Sequence, residues 1–122
     1  MVSNSESIEL TLRERVAVVT LRHEIDLEDV ADVTDVFRRA CTEPLADATL
    51  LDLSGLGFAD STLLNLILRA KAEHDEADRP FVPAVAAGSA VERLFDITGV
   101  ADVLGPAGSY EEALRRIKAL TP

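Results

Sequence analysis

Tryptophan is absent from this chain of 122 residues, and its aromatics are four phenylalanines and one tyrosine. Any core must therefore be aliphatic, built from Leu, Val, Ile and Ala. A single cysteine, Cys41, excludes an internal disulfide and gives no reason to expect an oxidising compartment. Histidine occurs twice, at positions 23 and 74, and neither has a second His or Cys at ligand spacing, so no metal site is expected. Basic residues are outnumbered 12 to 22, which leaves a net charge of −10. A field of that sign repels phosphate backbones and anionic lipid, which argues against nucleic acid and membrane surfaces as partners; equally, it serves solubility alone. Long hydrophobic runs are missing too. Val16 to Val19 is an apolar run of the kind present, far short of the roughly 20 residues of a membrane span. The first seven residues lack the basic and apolar blocks of a signal peptide, so a cytoplasmic location is expected.

What is present is the material of one folded α/β domain, with 48% hydrophobic and 28% charged residues. Residues 1–7 are polar and are expected to fray, leaving residues 8–122 as the domain. Ile8, Leu10 and Leu12 alternate with polar neighbours, the period of a half-buried strand. Glu14-Arg15 reads as a turn into residues 16–21, apolar on both faces and so a central strand. Asp26 is a good N-cap for a helix whose apolar stripe is Leu27, Val30, Val33, Val36, Phe37, Ala40 and Cys41. Cys41 is thereby expected to be a buried thiol.

Residues 48–53 form a second buried strand, followed by a loop at 54–59 with two glycines and a helix opening at Asp60-Ser61-Thr62. His74, at the polar end of that helix, is expected in solvent. Residues 81–86 read as a third buried strand, placed at a sheet edge because Pro83 lacks a donor. Capping boxes at Ser89/Glu92 and Ser109/Glu112 open two more helices, one carrying Val91, Leu94, Phe95 and Ile97, the other with Ala113, Leu114, Ile117 and Leu120 inward. Val103-Leu104 offers a brief final strand between them. The expectation is a four- to five-stranded mixed sheet with four helices, residues 16–21 and 48–53 central and joined by right-handed crossovers.

Reactive chemistry is sparse. Gly55 and Gly57 lack the continuation of a phosphate-binding loop, and Ser54, Ser61 and Ser89 lack the setting of a nucleophile elbow. No cofactor is called for, and the reading is of a binding protein, not an enzyme. One stretch stands out: Asp60-Ser61-Thr62 puts two hydroxyls and an acid at a helix start directly after a buried strand. Such a place favours an anion, including a phosphate on a side chain, and the same residues also serve as ordinary helix caps.

The run Leu51-Asp52-Leu53-Ser54-Gly55-Leu56-Gly57-Phe58-Ala59-Asp60-Ser61-Thr62 resembles the signature of STAS domains, specifically bacterial anti-sigma factor antagonists. That pattern is a buried strand, a short loop with an aromatic, then Asp-Ser-Ser/Thr-Gly-Leu opening a helix. Glu24-Ile25-Asp26-Leu27 resembles the family's Gly-Glu-Ile/Leu-Asp segment, Val91 to Val100 its penultimate helix, and Ser109 to Leu114 its last helix start. The likeness covers nearly the whole chain, with two departures: Leu63 stands where the family has Gly after Ser-Thr, and His23 where it has Gly before Glu-Ile-Asp.

The resemblance implies a partner switch. The partner would be an anti-sigma factor that is also a serine kinase; Ser61 would accept the phosphate, and a phosphatase would reset it. His23, Glu24, Asp26, Gly57, Phe58, Asp60, Ser61, Thr62 and Leu63 would form the partner-binding surface. Leu63 would add bulk where a partner backbone approaches, which favours an alternative: a non-phosphorylated STAS scaffold or accessory subunit, of the stressosome- or transporter-associated kind. A nucleotide-binding domain ranks below both.

Overall fold

The computed structural model describes residues 7–121, so the expected fraying of the N-terminus falls almost wholly outside the described residues. Strands β1 (Ile8–Arg13) and β2 (Val16–Leu21) form an antiparallel hairpin closed by Glu14 and Arg15 at φ 51° and 67°. Two left-handed residues make a type I′ turn, whose twist matches that of the strands. After β2 come β3 (His23–Glu24), a 3-10 turn (Leu27–Asp29), α1 (Val30–Thr42), β4 (Ala48–Asp52), β5 (Leu56–Phe58) and α2 (Ser61–Glu76). The chain then runs through β6 (Phe81–Ala84), α3 (Ala90–Thr98), α4 (Ala101–Leu104) and α5 (Tyr110–Leu120).

The main sheet has the order β1-β2-β4-β6, with β2, β4 and β6 parallel. The expected central strands are central, and β6 is at an edge. Pro83 fits there because its carbonyl accepts from Ala107 N–H at 2.8 Å on the outer side, so its missing N–H faces away from β4. Alternation then assigns the two faces. Ala17, Val19, Leu21, Leu51 and Leu53 pack with α1, α2 and Phe95 of α3, while Val16, Val18, Ala48, Leu50 and Val82 pack with Ala113 and Ile117 of α5. Cys41 is buried, as its stripe implies.

Several expectations are corrected. There are five α-helices among the described residues, not four, because residues 101–104 coil into α4; the brief strand contact falls later, as a bridge between Ala84 and Ala107. The glycine loop at 54–59 contains strand β5. Leu27 and Leu120, expected on inward stripes, are 78% and 61% exposed at the ends of their segments, and Ile97 near the end of α3 is 75% exposed.

His74 is not in solvent but fully buried, between α2, β4 and β6. Its Nδ1 lies 2.7 Å from the Ala70 carbonyl and its Nε2 2.8 Å from Thr49 Oγ1. A carbonyl only accepts, so Nδ1 carries the proton and Nε2 accepts from the Thr49 hydroxyl. Burial pushes the imidazole pKa below its ordinary value, as does the neighbouring Arg79 charge.

Candidate functional site

The carboxyl ends of parallel strands β2 and β4 leave the sheet together, and the segments that follow meet again as a second, two-stranded parallel sheet of β3 and β5. His23 N–H donates to the Gly55 carbonyl at 2.9 Å, which ties the two exits. His23 has φ 62°, the left-handed conformation that a Cβ makes costly by about 1–2 kcal/mol. That explains why glycine suits this position in the resembling pattern. Gly57 has a different reason: a Cβ there would come within 3.4 Å of the His23 carbonyl oxygen. It lets the two short strands approach.

Two acids start the two helical segments. Asp26 accepts from Glu28 N–H at 3.1 Å, and the Asp29 carboxylate accepts from Asp26 N–H at 3.0 Å, a reciprocal capping box. Asp60 accepts from Leu63 N–H at 3.0 Å and so caps α2. The capping reading of Asp60-Ser61-Thr62 thus belongs to Asp60. Ser61 is the first residue of the helix and is exposed, so its hydroxyl is not spent on the cap.

Asp26, Leu27, Asp60 and Thr62 line one crevice between the start of α1 and the start of α2. The structure therefore brings together the two separate stretches, 23–26 and 57–62, that the sequence singled out. His23, Glu24, Asp26, Gly57, Phe58, Asp60 and Ser61 are all exposed, and Thr62 is half-buried. The crevice volume is about 10 Å³, room for no more than one water, so it offers a surface and not a nucleotide pocket.

Leu63 is the exception. It is 2% exposed and packs in the main core with Leu53, Leu56 and Ile67. Leu63 forms part of the crevice floor, and the expectation that it adds bulk outside is corrected: it falls on the buried apolar stripe with Leu66, Ile67 and Ala70 and so presents almost no exposed surface. In its place the sequence reading missed Leu27, the most exposed large apolar side chain of the described residues, which lines the crevice with Asp60 and Thr62. Its inclusion in the helical stripe concealed it. Leu27 belongs to the preceding 3-10 turn, which rotates it off the face of α1.

The segments that lead into α1 and α2 are rich in exposed carboxylates. Glu24, Asp26, Glu28 and Asp60 are exposed carboxylates on these segments, with His23 the one basic side chain between residues 23 and 36 or between 54 and 68.

Comparison with known proteins agrees with this geometry. A family model described as "Mlab, STAS domain" matches residues 8–106. The fold superposes on an anti-sigma factor antagonist from Mycobacterium paratuberculosis with a TM-score of 0.82 at 17% identity, covering 97% of this chain and 99% of that one. It also matches the Bacillus cell fate determinant SpoIIAA in its phosphorylated form, with a TM-score of 0.67 at 20% identity over 90% of this chain and 98% of that one. A STAS domain protein from Planctomyces limnophilus gives 0.74 at 22% identity over 90% and 96%. With the fold, the paired helix starts and a family model spanning most of its length in agreement, the chain belongs to the STAS domain family.

Proposed function

We propose that this protein is an anti-sigma factor antagonist whose contact surface comprises β3, β5 and the starts of the 3-10 turn and α2, and that phosphorylation of Ser61 switches that surface off. The observation that carries the proposal is the position of Ser61, exposed at the first turn of α2 with the cap supplied by its neighbour Asp60. Thr62 is half-buried and lines the crevice, so it presents its hydroxyl less openly. Exposed Phe58 and Leu27 supply apolar contact beside Ser61, and the surrounding carboxylates suit a partner face with basic residues.

A phosphate at Ser61 adds about 1.5 to 2 negative charges. The N-terminal amides and dipole of a 16-residue helix accommodate that charge, so the fold is retained. A partner seated on Phe58 and Leu27 meets the dianion in a desolvated contact, which costs it affinity. A hundredfold loss corresponds to about 2.7 kcal/mol.

The test is to incubate the protein with the cognate anti-sigma kinase and ATP, locate the phosphate by mass spectrometry, and measure affinity for the kinase by titration calorimetry. One phosphate on Ser61, an unchanged melting temperature and a steep loss of affinity are expected. Ser61→Ala should bind constitutively and Ser61→Asp weakly. Modification at Thr62 or elsewhere overturns the assignment. Binding without modification by the cognate kinase favours the scaffold reading.

A further inference from the structure

Among the described residues, strand β1 forms one edge of the main sheet, with β2 on one of its two sides and no strand on the other. In a two-residue hairpin the closing pair, here Arg13 and Val16, exchanges hydrogen bonds, and every second residue then does the same. The other end agrees, because Arg22 N–H donates to the Ser7 carbonyl at 2.9 Å. Ser7, Glu9, Thr11 and Arg13 thus turn their backbone toward β2. Ile8, Leu10 and Leu12 turn their N–H and C=O groups toward the open edge.

An antiparallel copy of the same strand, related by a two-fold axis through Thr11, fits that edge on three counts. Leu10 falls opposite Leu12 of the second copy, and both carry outward backbone groups, so the two symmetry-related pairs supply four hydrogen bonds. Glu9 falls opposite Arg13 of the second copy in a non-hydrogen-bonded pair, where side chains come closest, so two ion pairs form across the axis. On the opposite face, Leu12 is 45% exposed beside a groove of about 440 Å³ lined by Leu10, Leu12, Thr42 and Pro44. Leu12 of the second copy lands beside Leu10, facing that groove.

We infer that the outer edge of β1 is a self-complementary surface through which two copies of this chain pair into one continuous eight-stranded sheet. Charged residues on an edge strand ordinarily keep a second copy away, which like charges in register achieve. Here the register about Thr11 sets Glu against Arg, which attracts. The pairing uses none of the residues around Ser61, so it does not depend on the function proposed above. The interface is small, and the association is accordingly weak and concentration-dependent.

Sedimentation equilibrium on the full chain tests it, at 0.15 M salt so that repulsion between two copies of charge −10 is screened beyond about 8 Å. The wild type should shift from monomer to twice that mass as concentration rises. Glu9→Arg and Arg13→Glu each set like charges opposite at both pairs and should weaken the association by roughly tenfold or more. An equimolar mixture of the two variants again sets Arg against Glu and should restore it, as should the double exchange in one chain. Unchanged melting temperatures show that the variants fold, since Glu9 and Arg13 are exposed or half-exposed and the Glu9–Arg22 ion pair is solvated. A wild type that stays monomeric up to its solubility limit overturns the inference. So does a dimer indifferent to the charge variants, or a mixture that fails to restore it.

Discussion

Replacing Thr49 by valine removes one hydroxyl and almost no volume, and it strands the acceptor of a fully buried histidine. Thr49 and His74 are both 0% exposed, and the Thr49 hydroxyl is the donor for His74 Nε2 at 2.8 Å. Leaving a buried acceptor unpaired costs about 1–3 kcal/mol. For 122 residues, at about 2.1 cal/mol/K each, the entropy of unfolding at the midpoint is roughly 0.26 kcal/mol/K, so each kcal/mol lowers Tm by about 4 °C. Thr49→Val should therefore melt about 4–12 °C below the wild type. Adding His74→Leu removes the stranded acceptor, and the double variant should recover much of the loss. The Ala70 carbonyl keeps its place in the helical ladder without the imidazole. Circular dichroism melts of the wild type, both single variants and the double variant at pH 7.5 complete the cycle. Thr49→Val melting within 1–2 °C of wild type, by the same scale, would refute the reasoning, as would a double variant no more stable than Thr49→Val. The same pair sets a pH dependence. Burial holds the folded imidazole pKa below its unfolded value near 6.5, so the unfolded chain binds the proton first. The stability from neutral His74 is whole above that unfolded pKa and declines as pH falls through and below it. His74→Leu should lack this part of the decline between pH 7 and 5. The Ala70 hydrogen bond and the neighbouring carboxylates Glu73 and Asp75 oppose the shift, and Arg79 adds to it.

Three further outcomes are expected. Leu63→Gly, which places the family glycine at that position, empties a core site 2% exposed and should cost roughly 3–6 kcal/mol; a urea midpoint equal to wild type contradicts the inward placement of Leu63. His23→Gly relieves a left-handed Cβ and should raise stability by about 0.5–1 kcal/mol, read from the same titration; a loss shows the His23 side chain contributes more than its strain costs. Asp60→Ala removes the cap of α2 and should cost about 1 kcal/mol while Asp60→Asn costs little, and equal stability of the two dismisses the capping role.

The strands, helix starts and turn were legible because their signals are local. Alternation over residues 8–13, unbroken apolar runs at 16–19 and 50–51, and capping residues at 26, 60, 89 and 109 act within about four residues of themselves. Even there, geometry refined chemistry: the Glu92 and Glu112 carboxylates accept from Gly88 and Gly108, one residue before the caps they were expected to close on. Strand β5 escaped notice because three residues with a central glycine carry no period, and only the approach of β3 makes them a strand. Ser61 and Asp60 could be singled out from their order after a buried strand, but Asp60 as the cap, with Ser61 left open, needed the hydrogen bond to Leu63.

Whether a residue is inside depends on what lies across from it, and that partner is remote in sequence. His74 sits in a polar stretch of α2, and its burial is decided by Thr49, 25 residues earlier, and by the Phe81 ring 4.7 Å away. Leu27 and Leu120 fit the apolar period of their segments, yet their neighbours line them on one side only and leave both largely exposed. Periodicity specifies the angle of a side chain about its helix axis; the sheet and its neighbours decide which of those angles is covered. The sequence by itself therefore determined the longer strands and helices and their order, and singled out Asp60 and Ser61 at the start of α2. That residues 23–26 and 57–62 share one surface was expected from loops that leave parallel strands at the same end; the tertiary structure alone decided that Leu63 is buried and that Leu27 faces solvent on the crevice with Asp60 and Thr62.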